Sequence, residues 1–208
     1  IGIIESEITF SHDGGEFSGQ SISINGAEAD EQIRYTLDAT VPTESSTVYS
    51  TAITISNNTV IRAKIFKANH IPSRTESRTY ITNIDHSLPI VTLVSDPDNF
   101  FDVNQGLYVY GPEGNYDPYI LPFFGANFWN DWERDVHFSF YEPNGELGVA
   151  LDAGVKIFGN WSRGNDQRSM SIFARGRYGF SDIEYPIFPQ LDYDKFEAIV
   201  LRSSGNDW

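Results

Sequence analysis

The feature that most constrains the fold is an alternation of apolar and polar residues with a period of two, which recurs through residues 1–84. The alternating runs are Ser21–Ile24, Ile33–Ala39, Ala52–Ser56, Val60–Ala68 and Ser77–Thr82. Turn-forming residues separate the runs, and no stretch has the apolar stripe of a helix. Because successive side chains of a strand point to opposite faces, the pattern predicts short strands with one buried face. We therefore expect residues 1–84 to form a β-sandwich.

A second β-rich region, residues 88–208, is predicted after a linker at Asn83–Pro89. Its extended runs are Ile90–Ser95, Gly106–Gly111, Glu133–Gly159 with a hairpin turn at Asn144-Gly145, Arg168–Arg175 and Phe196–Ser204. One helical turn is expected near Pro97, because Asp96 is a good N-cap and proline suits the first helical position. The predicted fold class is mainly β: a fibronectin-like β-sandwich followed by a second β-rich unit with short helical turns.

Composition excludes several classes of function. The formal net charge of −15 opposes binding to phosphate backbones and to anionic lipid, so no nucleic-acid partner is expected. No run approaches the roughly 20 apolar residues of a membrane span, which predicts no membrane insertion. The absence of cysteine excludes disulfides, thiolate metal sites and a cysteine nucleophile. The four histidines are scattered, so neither a metal site nor a catalytic residue is predicted in this chain.

A basic stretch interrupts this acidic chain at residues 154–180. This stretch contains one acidic residue, Asp166, and five cationic residues, Lys156, Arg163, Arg168, Arg175 and Arg177. The rest of the chain contains 9 cationic and 28 acidic residues. Three interpretations are open. The stretch can cradle phosphate, it can anchor the protein's own carboxylates, or it can be a hairpin without a ligand.

A loop rich in glycine, proline and aromatic residues precedes three alternating acids, Asp131, Glu133 and Asp135. If the chain is extended there, these carboxylates share one face beside Trp129 and Trp132. Aromatic rings that stack on sugars and paired carboxylates are typical of glycosidases and glycan-binding surfaces, but a solvated acidic edge has the same pattern. The residues predicted to bind a glycan or a partner are Trp129, Trp132 and Asp131.

The run IRYTLDATVPT at Ile33–Thr43, with Tyr49 and the segment Val60–Tyr80, resembles the chitobiase/β-hexosaminidase C-terminal-like module. That family reads Y-T-x-D-G-[ST]-x-P, and this chain departs from it only at Ala39, where glycine is usual. The resemblance covers most of residues 5–82. It implies a small fibronectin-like sandwich of the kind found beside catalytic domains in exported bacterial proteins. Its role is left open between a spacer or scaffold and a sugar-binding module.

Residues 88–208 resemble the start of the CotH spore-coat kinase-like family. The segments that carry the resemblance are Leu88–Val109, Glu133–Gly145, Asp152–Arg163, Arg168–Gly179, Tyr185–Pro189 and Leu201–Trp208. The resemblance implies an atypical protein-kinase-like fold in which the glycine- and serine-rich hairpin and the next strand belong to the nucleotide-binding lobe. The residues it implies for nucleotide phosphate are Gly159, Ser162, Arg163 and Arg168. The family usually has lysine where Arg168 precedes Ser169, and guanidinium and ammonium groups are not interchangeable.

This second resemblance also implies ATP with Mg²⁺ as the cofactor of the full-length protein, with the catalytic and metal-binding acids downstream of the matched region. We therefore expect both ends of the chain to be cut from a longer protein, and the fragment alone to be inactive as a kinase. The expected localisation is exported and bacterial, in the periplasm, on the outer surface or outside the cell, with an unknown protein or glycan as substrate. The alternative is a non-catalytic cell-surface module that binds glycan or protein through the aromatic loop Tyr108–Trp132. A weaker alternative is an accessory region of a glycoside hydrolase.

Overall fold

The computed structural model describes residues 1–82 and 87–203, so part of the predicted linker, residues 83–86, lies outside the described residues. The chain divides into two compact units. The first contains Ile1–Val94 with Phe140–Gly148, and the second contains Ser95–Ser139 with Val149–Trp208. Strands dominate both units and helices are few and short, which confirms the predicted mainly β class.

Twelve short strands lie within Ile1–Val94 of the first unit. They are β1 (Gly2–Ile3), β2 (Thr9–Phe10), β3 (Gly15–Glu16), β4 (Ser21–Ile22), β5 (Ile24–Asn25), β6 (Gln32–Thr36), β7 (Thr47–Val48), β8 (Ile53–Thr54), β9 (Thr59–Phe66), β10 (His70–Ile71), β11 (Glu76–Ile81) and β12 (Ile90–Val94). Every alternating run predicted from the sequence contains a strand.

The main sheet of the first unit has five strands in the order β3-β11-β9-β6-β7. β3 pairs with β11 in parallel, while β11, β9, β6 and β7 are antiparallel, with Tyr80 opposite Thr59 and Tyr35 opposite Ala63. Two antiparallel pairs, β2-β5 and β4-β8, supply further strands, and β1 pairs with β10 in parallel.

Isoleucine dominates the buried core of the first unit. Ile22, Ile24 and Ile53 come from the short strand pairs, and Ile61 and Ile65 from the central strand of the main sheet. Because the main sheet and the strand pairs contribute to one core, the unit has the two packed layers of the expected sandwich.

The turn that follows β6 carries the sequence motif of the first unit. The Asp38 carboxylate accepts hydrogen bonds from the Thr40 main-chain N–H at 3.1 Å and hydroxyl at 2.6 Å, and these bonds lower the pKa of Asp38. Ala39, where the family has glycine, adopts a φ of 66°, in the left-handed region that glycine favours. Its carbonyl accepts a 2.7 Å hydrogen bond from buried Arg62. The motif therefore builds a turn, as its residues predict.

The second unit contains the remaining elements apart from the turn that joins β13 and β14. They are α1 (Pro97–Phe101), a 3₁₀ turn (Asn127–Trp129), β13 (Arg134–Tyr141), β14 (Leu147–Phe158), a 3₁₀ turn (Trp161–Gly164), β15 (Ser169–Phe173), a 3₁₀ turn (Gly176–Tyr178), β16 (Ile183–Glu184), β17 (Lys195–Phe196) and β18 (Ala198–Leu201). The hairpin turn at Asn144-Gly145 is confirmed, with Gly145 at a φ of 84°.

The sheet of the second unit has the order β13-β14-β15-β18. β15 lies antiparallel to both neighbours, with Val155 opposite Ile172 and Ile172 opposite Ile199. Leu151, Ala153, Val155 and Ile157 alternate along β14 and are all buried, which gives the sheet its apolar face.

Residues 95–111 contain one prediction that is confirmed and one that is wrong. Asp96 caps α1 by accepting a hydrogen bond from the Asp98 N–H at 3.1 Å, and Pro97 begins the helix. The strand predicted at Gly106–Gly111 does not form, because the N–H groups of Leu107 and Tyr108 donate back to carbonyls at residues 99 and 100. Among residues 1–82 and 87–203, no helix is both long and apolar enough to cross a membrane.

Candidate functional site

The basic stretch at residues 154–180 spans the end of β14, all of β15 and the turns beside them. Its cationic side chains separate into two groups that differ in what balances their charge. Lys156, Arg175 and Arg177 make ion pairs with carboxylates, whereas Arg163 and Arg168 bind main-chain carbonyl groups and aromatic rings.

The first group surrounds Glu133, whose side chain is 9% exposed. Its Oε1 atom accepts hydrogen bonds from Arg175 Nε at 3.1 Å, from the Tyr178 hydroxyl at 3.1 Å, and from Arg177 Nη2. Its Oε2 atom lies 4.0 Å from Lys156 Nζ. A buried carboxylate is tolerated when cations and donors surround it in this way. We call these residues, together with Asp131, the Glu133 cluster.

Lys156 also links the Glu133 cluster to Asp131, because its Nζ donates a 3.0 Å hydrogen bond to Asp131 Oδ1. This hydrogen bond lowers the pKa of Asp131. The hydrogen bond to Glu133 in turn raises the pKa of Arg177. Gly154 lies on β14 directly against the Glu133 carboxylate, so any Cβ atom at this position would collide with it. The absence of a side chain at residue 154 is therefore what lets the carboxylate reach its partners.

Arg163 and Arg168 form the second group, which we call the arginine pair. Arg163 donates from Nε to the Gly159 carbonyl at 2.8 Å and from Nη1 to the Phe128 carbonyl at 3.1 Å. Arg168 donates from Nε to the Arg163 carbonyl at 2.8 Å and from Nη1 to the Tyr108 carbonyl at 3.3 Å. The two guanidinium groups thus fasten the turn before β15 to the aromatic loop.

Arg168 is 7% exposed and packs among aromatic rings. Its guanidinium carbon lies 4.0 Å from the ring centre of Phe128, 4.9 Å from that of Tyr108 and 5.8 Å from that of Tyr110. These cation–π contacts offset part of the cost of burying the charge. Within residues 1–82 and 87–203, no carboxylate lies at ion-pair distance from Arg163 or Arg168.

The four residues predicted to contact nucleotide phosphate lie together in the structure. Ser162 and Arg163 belong to the 3₁₀ turn Trp161–Gly164, and the Ser162 side chain lies against Gly159, which has a φ of 113°. Arg168 joins them through the Arg163 carbonyl. The second interpretation of the basic stretch, an anchor for the protein's own carboxylates, holds for the Glu133 cluster but not for the arginine pair. Phosphate binding by these four residues stays a prediction.

The residues predicted to bind a glycan or a partner are engaged by the protein itself. Trp129 donates from its indole Nε1 to the Pro122 carbonyl at 2.8 Å. The ring of Trp132 lies under the Arg134 guanidinium, 5.0 Å from its carbon. Asp131 pairs with Lys156 as described above. Of the alternating acids, Asp131 and Glu133 both approach Lys156, and Asp135 accepts a hydrogen bond from Asn99.

Several large apolar side chains in the aromatic loop and in the turn before β15 are exposed, and we call this set of residues the apolar platform. Its members and their exposed fractions are Tyr119 at 94%, Ile120 at 61%, Leu121 at 61%, Phe124 at 60% and Trp161 at 63%. The ring centre of Phe124 lies 4.6 Å from that of Trp129 and 6.3 Å from that of Trp161. The aromatic content of the loop is visible in the sequence, but which rings face solvent is not.

Two further features are missed by sequence reasoning. The aromatic rings around Arg168 come from residues that carry no motif. His137 Nδ1 lies 2.9 Å from Asp152 Oδ1, while its buried Nε2 atom has no hydrogen-bond partner in the structure. In the part of the chain that the structure describes, no group of three or more histidine or acidic side chains is arranged to hold a metal ion.

Comparison with known proteins supports one of the two resemblances. Residues 12–77 match the family model of the chitobiase/beta-hexosaminidase C-terminal domain. The match includes the Asp38 turn and most of the isoleucine core. It does not extend to residues 88–208, whose resemblance to the CotH family stays a prediction. Neither a curated protein nor a solved structure matches the chain.

Proposed function

We propose that this chain is the N-terminal part of an exported, CotH-like bacterial protein, in which the first unit is a spacer and the second contributes contacts to nucleotide phosphate. The spacer role of the first unit is supported by the family match at residues 12–77 and by the structural role of its motif, whereas the CotH-like origin rests on the sequence resemblance alone. The second part rests on the arginine pair. On this view the chain supplies binding contacts and is inactive as a kinase by itself.

The observation that carries the phosphate proposal is the difference between the two groups of cations. In a chain with 29 acidic residues, every cation of the Glu133 cluster has a carboxylate partner. Among residues 1–82 and 87–203, Arg163 and Arg168 have no carboxylate at ion-pair distance, although Asp131 interacts electrostatically with Arg163 over a longer distance. A guanidinium held by main-chain carbonyls still lacks a counter-charge, and phosphate oxygens are among its best partners. A phosphate group beside the arginine pair would supply that charge.

The residues present fit one part of Mg²⁺–ATP. Arg163 and Arg168, with Gly159 and Ser162, fit the phosphate groups by charge and by the close approach that glycine permits. The described residues offer no cluster of three acidic or histidine side chains for Mg²⁺. The CotH resemblance implies that those ligands lie downstream. When bound, Mg²⁺–ATP would supply the phosphoryl group, and the residues of this chain would only hold and orient it.

Calorimetric titration with Mg²⁺–ATP tests the proposal directly. We expect saturable binding to the unaltered chain that weakens about tenfold in Arg163→Gln and in Arg168→Lys, since each loses one fork-shaped phosphate donor. The matched control is Arg177→Gln, whose guanidinium is already balanced by Glu133 and whose loss should leave the affinity unchanged. Absence of saturable binding, or equal binding by all four proteins, contradicts the phosphate proposal.

A second candidate function is favoured by the apolar platform. In this alternative the chain is part of a non-catalytic cell-surface module that binds a glycan or a protein through the aromatic loop Tyr108–Trp132. Exposed aromatic side chains of this size are uncommon on a surface without a partner. The platform residues differ from those of the arginine pair, so the two candidates can be tested separately.

A further inference from the structure

We propose that the first unit binds short peptides with free ends in a cavity between the segments Ile3–Ile8 and Pro72–Arg78. The inference goes beyond the spacer role of this unit, and it depends neither on the arginine pair nor on the apolar platform. Three observations carry it: a cavity of about 570 Å³, two walls whose opposite charges do not pair with each other, and apolar side chains in both walls.

The two walls of the cavity are fixed by the sheet and by the isoleucine core. β1 and β10 pair directly before the walls begin, and the Ile4 N–H donates to the Ile71 carbonyl at 3.4 Å. Ile4 and Ile8 are each 7% exposed and belong to the core. On the second wall, the Ser73 N–H donates to the Ile65 carbonyl at 3.1 Å. The backbone therefore sets the cavity, whose volume is in the range of small-ligand sites.

The charges on the two walls are complementary, but they do not neutralise each other. The first wall carries Glu5 and Glu7, and both side chains are exposed. The second wall carries Arg74, Glu76 and Arg78, of which Glu76 and Arg78 lie 3.4 Å apart. Among residues 1–82 and 87–203, no ion pair involves Glu5, Glu7 or Arg74. A ligand with an ammonium and a carboxylate group would pair with both walls at once.

Arg78 is held in place to receive a carboxylate. Its guanidinium carbon lies 5.2 Å from the ring centre of Phe10, and its Nη1 atom donates to the Ser77 carbonyl at 2.8 Å. Its Nη2 atom makes no hydrogen bond within residues 1–82 and 87–203. Because the guanidinium is already ordered, a carboxylate that binds Nη2 would not have to order it first.

The lining of the cavity disfavours other classes of ligand. None of the described side chains that line it is aromatic, so neither a sugar nor a nucleobase would find a ring to stack on. A purely anionic ligand would be repelled by Glu5 and Glu7, and a metal ion or another cation by Arg74 and Arg78. The apolar side chains of Ile3 and Pro72 suit the aliphatic groups that lie between the two ends of a peptide.

Titration of the full isotope-labelled chain with trialanine, followed by amide chemical shifts, tests this inference. We expect saturable shifts at the amides of residues 3–8 and 73–78. N-acetyl-trialanine lacks the ammonium group and trialanine amide lacks the carboxylate. Each of these blocked peptides should bind about tenfold more weakly or worse, because one wall keeps its unpaired charge.

Two substitutions separate the contributions of the walls. Glu7→Gln should weaken trialanine binding about threefold or more without weakening N-acetyl-trialanine, and Arg74→Gln should do so without weakening trialanine amide. Both side chains are exposed, so both variants should fold. Arg34→Gln is the matched control, because this arginine of the same unit lies outside the cavity, where it donates to the Ser46 carbonyl at 2.7 Å. It should leave the affinity unchanged.

Three outcomes overturn the inference. The first is a trialanine titration without saturable shifts, or with shifts only outside the two walls. The second is equal affinity for the free and the blocked peptides, and the third is an equal loss of affinity in Arg34→Gln and Arg74→Gln. The result is separate from the ATP titration, because that experiment reports on Arg163 and Arg168 of the second unit.

Discussion

The two units bury their side chains by different means. The first packs isoleucines from alternating strand positions into one core, and its motif residues bind neighbours a few positions away, as Asp38 does with Thr40. The second unit has an apolar sheet face as well, but it also encloses most of a carboxylate, that of Glu133, between cations, and it surrounds the guanidinium of Arg168 with aromatic rings. Their partners come from distant parts of the chain: Arg177 lies 44 residues from Glu133, and Tyr108 lies 60 residues from Arg168.

The difference shows that the first unit depends mainly on a repeated pattern, whereas the second depends on a few specific long-range contacts. Replacing one isoleucine of the first unit leaves the alternation of apolar and polar residues along its strands largely intact. Replacing Arg168 in the second unit leaves two partly buried carbonyl oxygens, those of Tyr108 and Arg163, without this donor at once. The predictions below test this contrast, from the largest expected effect to the smallest.

Arg168→Met should lower the free energy of unfolding of the second unit by about 3 kcal/mol, because the carbonyls that it serves lose a charged donor. Urea unfolding followed by tryptophan fluorescence measures this change, since Trp129, Trp132 and Trp161 lie in that unit and residues 1–94 contain no tryptophan. The control is Arg74→Met, an exposed arginine of the first unit, which should cost that unit less than about 0.5 kcal/mol when its stability is measured by hydrogen exchange of the β9 amides. Equal losses in the two variants would remove the contrast between the units.

Glu133→Gln should destabilise the second unit by roughly 2 kcal/mol. The substitution keeps the shape of the side chain but leaves Arg175 and Arg177 without their counter-charge, and the partial exposure of these arginines limits the loss. The same urea titration measures it. Asp131→Asn serves as the comparison, because Asp131 is 87% exposed and solvent screens its pair with Lys156, so its loss should destabilise the unit less. A larger loss in Asp131→Asn than in Glu133→Gln would show that burial does not set the strength of the Glu133 cluster.

Ala39→Gly should stabilise the first unit by about 0.5–1 kcal/mol, since alanine is strained at a φ of 66° and glycine is not. Thermal unfolding monitored by hydrogen exchange of the amides in β9 and β11 reports on this unit. Ala52→Gly, at a position without positive φ, should have the opposite sign because glycine gains more freedom in the unfolded chain. Destabilisation by Ala39→Gly would mean that the turn tolerates alanine for a reason other than φ.

The contrast also explains what the sequence could predict. The alternating runs, the Asp96 cap and the Asn144-Gly145 turn depend on residues close together in the chain, so patterns and propensities identify them. The failure at Gly106–Gly111 has the opposite cause. Its alternating aromatic residues are typical of a strand, but Tyr108 and Tyr110 face a guanidinium that enters from a distant strand. The tertiary fold likewise decides which arginines contact a carboxylate and which contact main-chain carbonyls, so the sequence alone does not predict this.

The serial bonds of the arginine pair have a consequence for local opening. The Arg168 guanidinium donates a hydrogen bond to the Arg163 carbonyl, and the Arg163 guanidinium donates to the carbonyls of Gly159 and Phe128. The same set of hydrogen bonds therefore joins the turn before β15 to the aromatic loop. Neither segment can detach without breaking bonds in the other. Long irregular segments usually exchange their amide hydrogens quickly and are cut early by proteases, but this one should open only together with β15. The aromatic loop, although it contains no strand, thus belongs to the same cooperative unit as β15.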